Sequence, residues 1–385
     1  MKKILFISNT ASRTGAPYVL LLFLKWLKRE NKNLQIDIIF LEGGDLLEDF
    51  KAFTSVSYNY SDVLIKKAFL PKLYSYLFRK IMKKGSRKEV FIKNIARKNY
   101  DIIYANTIVS VAFGTAVKKR SNNNPKLIAH IHELNTAIKG CLPNFQEYVP
   151  YVDQFISVSK LVMENLNINW KVNPNINHLF YAFSDKVAPN DGATEQKKEG
   201  YSKKVFEVGA SGLVFWRKGD DLFIQVANYI KTRYPEIEIK FTWVGQISYL
   251  QRLSIEADLE KTNLNDTVFF VGEQKNPEVY FQKFDVFLMP SREDPFPLVC
   301  IEVGKMGVPI ICFEKATGTA EILANGGGFV VPYLDCVAMA EKIISYYYDD
   351  ELRRKDGEMN RQNFADFTPD ILAERIYDCI QNLYK

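Results

Sequence analysis

At 385 residues, with 47% hydrophobic and 25% charged residues, the chain has the composition of a globular protein and is longer than one hydrophobic core usually grows. Two domains and a ligand cleft between them are therefore expected, and disordered or collagen-like classes are excluded. The formal net charge of +6 is modest, the five cysteines (Cys141, Cys300, Cys312, Cys336, Cys379) contain no CxxC pair, and no apolar run is long enough to span a bilayer. These features point to the cytoplasm and away from a zinc site or a disulfide framework.

The first apolar run, Lys3 to Ser8, is too short for a signal peptide and reads as a buried strand. Gln35 to Leu41, Asp101 to Ala105, Leu127 to His132 and Phe155 to Ser159 follow as strands, apolar without alternation, as in a parallel sheet covered on both faces. Periodic segments such as Pro17 to Arg29 and Val109 to Arg120 supply the covering helices, which together predict one doubly wound domain over residues 1–184. Its first loop, Asn9 to Ala16, lacks the GxGxxG dinucleotide fingerprint and holds only Gly15, where a backbone can come close to a ligand.

Lys66 to Lys98 carries twelve Lys and Arg against the single acid Glu89, interleaved with aromatic and aliphatic residues. That pattern fits a segment lying on an anionic membrane, and equally a solvated helix face. Asn106 and Thr107 end one strand at the ligand-facing edge and are candidates for the acceptor side. His132, in Leu127-Ile-Ala-His-Ile-His-Glu133, ends another at the same edge, and is preferred over His130 for that reason.

The polar stretch from Ser184 to Lys204 marks the domain boundary. A second alternation follows, with strands at Val205 to Val208, Ile237 to Val244, Val268 to Val271, Asp285 to Met289, Pro309 to Phe313 and Gly328 to Val331, giving a second domain over 205–365. After its first strand, Val208-Gly-Ala-Ser-Gly-Leu-Val-Phe-Trp-Arg-Lys-Gly219 places Arg217 and Lys218 where a doubly wound sheet offers its crevice. Further on, Pro290-Ser-Arg-Glu-Asp-Pro-Phe-Pro-Leu298 leads from a strand to a helix starting near Pro297, a residue suited to a first helical turn. The N–H groups of Phe296, Leu298 and Val299 then point out of the helix start, where an anion such as a diphosphate is favoured. Asp294 before the helix and Glu302 within it, eight positions apart, can flank one ligand. The last segment, 366–385, has helical apolar periodicity and is expected to pack back on the first domain.

The run from Pro290 to Leu298 with Glu302 resembles the acid-x7-acid signature of family 4 retaining glycosyltransferases, with Asp in the place usually held by Glu. The resemblance implies the GT-B fold, α/β with two Rossmann-like doubly wound domains facing a cleft, and transfer of a sugar from a nucleotide diphosphate-sugar with retention at the anomeric carbon. It implies that Asp294 contacts the transferred sugar, Glu302 the nucleotide ribose, Lys218 the phosphates, and His132 the sugar near the reacting centre. Glu321, in Thr317-Gly-Thr-Ala-Glu321, resembles an acid near the donor.

No metal or other cofactor is expected, because Arg217, Lys218 and helix N–H groups can meet a diphosphate leaving group. The acceptor is expected to be a glycan or a lipid-linked glycan in polysaccharide or glycolipid assembly, with the enzyme cytoplasmic and peripheral on the inner membrane face. The alternatives are a nucleotide-sugar epimerase of the same fold and a basic nucleic-acid-binding protein. The latter lacks identifiable base-reading residues, so no nucleic acid is expected.

Overall fold

A computed structural model describes residues 2–30, 32–60, 87–186 and 205–383. It comprises two compact units: Met1–Tyr181 with Pro369–Lys385, and Ala182–Thr368. Each is built on a parallel sheet with covering helices, the doubly wound, Rossmann-like plan expected from the sequence.

In the first unit the strands are β1 (Lys2–Ser8), β2 (Leu34–Phe40), β3 (Val56–Asn59), β4 (Ile102–Asn106), β5 (Lys126–Ile131), β6 (Gln154–Ser157) and β7 (Asn177–Leu179). Their spatial order is β3-β2-β1-β4-β5-β6-β7. Every residue of β4 is buried, which explains why the sequence shows unbroken apolar runs: both faces of the sheet are covered. The order reverses between β1 and β4, so the loops after these two strands diverge and leave a crevice at the carboxyl edge. The Pro369–Asn382 helix packs on the Gly15–Arg29 helix, with the Trp26 and Tyr377 rings 6.0 Å apart and Arg29 paired with Asp370.

The second unit repeats this plan with β8 (Phe206–Ser211), β9 (Ile239–Val244), β10 (Val268–Phe270), β11 (Val286–Met289), β12 (Ile310–Phe313) and β13 (Gly328–Val331), ordered β10-β9-β8-β11-β12-β13. Its core centres on Phe223, Phe241 and Trp243, where the Asp220–Arg233 helix meets the sheet. The reversal falls between β8 and β11, which brings the loops carrying Lys218 and Asp294 to one place. Gly219 makes that approach possible: its φ is +77°, and a Cβ there would lie 2.0 Å from the Pro290 carbonyl oxygen.

The Leu298–Lys305 helix is capped by Pro297, which is extended at φ −72° and ψ 125°. Pro297 thus precedes the first helical turn instead of occupying it, a one-residue correction to the expected start. The helix ends in a Schellman motif, Val308 N–H donating to Val303 O at 3.1 Å and Gly307 N–H to Gly304 O at 2.9 Å, with Gly307 at φ +77°.

Candidate functional site

At the switch point of the second unit a compact charge cluster forms. Lys218 follows β8 in a short 3-10 turn, Trp216–Lys218, and its ammonium donates to Asp294 Oδ2. Arg217 Nη1 lies 3.7 Å from Asp294 Oδ1 and donates to the Glu293 carbonyl. Asp294 is 5% exposed and is fixed through its backbone, donating to Ala316 O at 2.7 Å and bridging to Thr317. The residues Ala316–Gly318 lead directly into the Thr319–Leu323 helix that carries Glu321, and Gly318 N–H donates to Pro295 O at 3.0 Å. Two cations, one buried carboxylate and the first-turn N–H groups of Leu298 and Val299 are thus gathered at the crevice. Those N–H groups have no acceptor within their own helix.

Arg292 was not singled out from sequence, yet it locks this cluster. Its guanidinium holds Asp221 through two bonds of 2.9 and 2.8 Å, donates to Trp216 O at 2.9 Å, and lies over the Trp216 ring at 5.3 Å. A planar fork matching a carboxylate is the geometry arginine provides and lysine does not. Arg292 N–H also donates to Arg217 O at 2.8 Å, so the loops after β8 and β11 are tied by backbone and side chain together.

Glu302 is 9% exposed and sits in a second cluster of the same unit. Its carboxylate accepts from Ser184 Oγ at 3.3 Å and lies 3.7 Å from Lys186 Nζ, which also pairs with Glu278. Burial raises the Glu302 pKa above the usual glutamate range; Lys186 opposes that rise and the charge of Glu278 adds to it. Lys305 donates to Ser184 O at 3.2 Å and Phe367 O at 3.1 Å, and burial lowers its pKa. Phe296 is buried and stacks its ring on Phe367, centroids 5.6 Å apart.

In the first unit the polar groups gather at the carboxyl ends of β1, β4 and β5. β5 stops at Ile131, so His132 lies just past the strand. His132 Nε2 meets Asn106 Oδ1 at 3.1 Å, and Asn106 Nδ2 donates to Ala16 O at 3.1 Å. Asn106 is 1% exposed and bonded within the protein at both ends of its amide, so that it orients His132 and pins the helix start after Gly15. Thr107 is held at φ +87° with its hydroxyl buried and unpaired. Such backbone strain in a β-branched residue points to a constrained, functional edge. Glu133 accepts from both Ile108 N–H at 3.1 Å and His132 N–H at 2.9 Å, which fixes the turn. Gly15 opens its helix at an exposed position, and a Cβ there would meet nothing within 4 Å, so nothing within the protein itself requires a glycine there.

Burial holds His132 at a pKa of about 3, and the neighbouring His130, whose ring lies 4.1 Å away, is also lowered, first by burial and then by His132. Both rings are neutral at pH 7. The unfolded chain takes up protons near pH 6.5 and these rings do not, so they cost stability as pH falls below that value. In an NMR titration, the His132 ring resonances are expected to stay at their neutral positions down to pH 5, and a midpoint near 6.5 would refute this.

Of the basic segment, residues 66–86 lie outside the described residues. Its remainder forms the Arg87–Ala96 helix, whose Ile92, Ile95 and Ala96 are buried and whose Phe91 packs on Tyr58, Tyr60 and Phe113. That part buries Ile92, Ile95 and Ala96 and leaves Val90 exposed, while the aromatic and aliphatic residues between Phe69 and Met82, on which the membrane reading rests, lie outside the described residues. Among the described residues no helix is long and apolar enough to cross a membrane, and no group of three or more His, Cys, Asp or Glu could hold a metal ion.

Residues 191–363 match the family model described as Glycosyl transferases group 1. The comparisons support the group 1 glycosyltransferase family. The chain is 22% identical over 297 residues to N-acetyl-alpha-D-glucosaminyl L-malate synthase of Bacillus anthracis, covering 75% of each. It is 25% identical over 194 residues to the capsular polysaccharide biosynthesis glycosyltransferase CapM of Staphylococcus aureus, half of each chain. The chain spans only 14% of the length of an exopolysaccharide phosphotransferase of Streptomyces coelicolor that it also matches. Among solved structures, HepE of Anabaena in complex with UDP and glucose superposes with a TM-score of 0.76 at 16% identity, covering 99% of this chain and 100% of that one. These likenesses favour neither an epimerase nor a nucleic-acid-binding protein.

Proposed function

We propose that this protein transfers a glycosyl group from a nucleotide diphosphate-sugar to an acceptor hydroxyl in polysaccharide or glycoconjugate assembly, with retention of anomeric configuration. The observation that carries the reading is the ion pair between Lys218 and Asp294 at the switch point of the second unit, with Arg217 alongside. A crevice that brings two cations to a helix start suits a diphosphate, and a buried carboxylate beside them suits sugar hydroxyls. When a diphosphate enters, Lys218 and Arg217 exchange a carboxylate partner for phosphate oxygens, which frees Asp294 to accept from the sugar. Charge that develops on the departing diphosphate is met by groups already in place, the situation in which electrostatic stabilisation is strongest. His132, neutral and oriented by Asn106, is a hydrogen-bonding group for the sugar and not a cation.

HepE was crystallised with UDP and glucose and CapM is named for capsular polysaccharide, so UDP-sugars and a glycan or lipid-linked glycan acceptor are the first substrates to try. The test is a thermal-shift screen of nucleotide sugars followed by turnover in excess EDTA. A donor at one hundred times its dissociation constant should stabilise by roughly 2.7 kcal/mol. Turnover is expected to survive the chelator, since Arg217 and Lys218 carry the charge. Absence of stabilisation by any nucleotide sugar would overturn the reading, and activity restored only by a divalent cation would overturn its metal independence.

A further inference from the structure

A second polar pocket lies in the first unit, at the amino ends of β1 and β2, the edge opposite to the crevice. It measures about 450 Å³, within the size range of small-ligand sites, and is lined by Lys3, Arg97, Lys98, Asp37 and Tyr100 among others. β1 and β2 pair with Lys3 opposite Gln35 and Leu5 opposite Asp37, so Lys3, Gln35 and Asp37 share one sheet face. The turn after the Arg87–Ala96 helix brings Arg97 and Lys98 over that face, with Lys98 above the Tyr58 ring at 5.0 Å. This turn is the carboxyl end of the basic segment that the sequence singles out, and the crevice makes no use of it.

The pocket gathers three cations around one carboxylate. Asp37 is fully buried; its Oδ2 accepts from Tyr100 OH at 2.6 Å and Lys98 Nζ at 3.2 Å. Its other oxygen, Oδ1, is buried without a hydrogen-bond partner, a costly condition that a donor from a ligand would relieve. The Lys3 ammonium and the Arg97 guanidinium have no acidic partner among the described residues. Two uncommitted cations beside a carboxylate that lacks one donor suit an anion carrying its own hydroxyl.

We infer that this pocket binds the phosphate group of a hydroxyl-bearing phosphate ester, with Lys3 and Arg97 on the phosphate and Asp37 Oδ1 accepting from the hydroxyl. A tetrahedral phosphate, dianionic in a monoester and monoanionic in a diester, offers separate oxygens to the lysine and arginine donors. The ester is either a soluble molecule or the headgroup of a lipid.

The test is calorimetry on the full chain with glycerol 3-phosphate and with inorganic phosphate, alongside co-sedimentation with phosphatidylglycerol vesicles. The Lys3→Met/Arg97→Met double variant is expected to lose glycerol 3-phosphate affinity at least tenfold, while Lys218→Met, placed in the crevice, leaves it unchanged. Saturable binding of glycerol 3-phosphate assigns a soluble ester; binding confined to the vesicles and lost in the double variant assigns a lipid headgroup. Either supports the pocket. Glycerol 3-phosphate binding no more tightly than inorganic phosphate would remove Asp37 from the site. Binding that persists in the double variant, or is abolished by Lys218→Met, or is absent from both soluble ligand and vesicles, would overturn the proposal.

Discussion

Replacing Asp294 by alanine is expected to lower kcat by about two orders of magnitude, which corresponds to roughly 2.7 kcal/mol of transition-state stabilisation. Two effects act together. The carboxylate that would accept from the sugar disappears, and Lys218 and Arg217 lose the partner that holds them at the crevice. A cation left without its carboxylate can swing away from the diphosphate position or bind it too tightly in the ground state, and neither favours the transition state. The Lys218 side chain is 15% exposed, so water can reach it and the loss of fold stability should fall below the ~3–5 kcal/mol typical of a broken, fully buried pair. Asp294→Asn keeps the shape and should retain more of the fold while losing a comparable share of kcat. Steady-state rates paired with thermal melts separate the two effects. A folded Asp294→Ala protein with unaltered kcat would remove Asp294 from the site.

The parallel-sheet plan was legible because strands buried on both faces leave unbroken apolar runs, as in β1 and β4. The strands missed, β3 and β7, stand at the sheet edges. β3 reads Val-Ser-Tyr-Asn with no residue fully buried, and β7 spans three residues, so neither has an apolar signature. At the site, the place of Lys218 after the first strand of the second domain and the resemblance carried by Asp294 and Glu302 brought Lys218 and Asp294 under suspicion, and these residues, 76 apart in sequence, are hydrogen-bonded. What neither could supply was the identity of their neighbours. Arg292 stands inside the quoted motif, but only the approach of the β8 loop shows that it grips Asp221 and lies over Trp216. Ser184 and Lys186 fall where the polar boundary begins and read as linker; their contact with Glu302 depends on the chain folding back onto the Leu298–Lys305 helix. Asn106 ends β4 as the sequence suggests, and its burial and its bond to His132 become visible only in the fold.

The second large effect concerns Glu302, and it should differ in kind. Glu302→Ala is expected to weaken binding of the bare nucleotide diphosphate by about 10–100-fold, roughly 1.4–2.7 kcal/mol, with KM rising more than kcat falls. The magnitude is that of hydrogen bonds to a charged acceptor, here the ribose hydroxyls. Glu302→Gln separates binding from folding. Because burial raises the Glu302 pKa, the folded protein holds its proton more firmly than the unfolded chain, where glutamate titrates near 4.3. Stability therefore declines as pH rises from that value through the raised one, and above it the ionised, buried carboxylate is a net cost. A neutral glutamine avoids that cost, and Lys186 retains Glu278 as its partner. Glu302→Gln should accordingly melt no lower than the wild type at pH 7 while still binding the nucleotide diphosphate more weakly. Wild-type affinity should also climb with pH across the same window, because the carboxylate accepts better than the acid, and this climb should vanish in Glu302→Gln. Calorimetry and melts at a series of pH values decide the matter: an affinity equal to wild type in both variants would leave Glu302 as a buried helix residue with no part in binding.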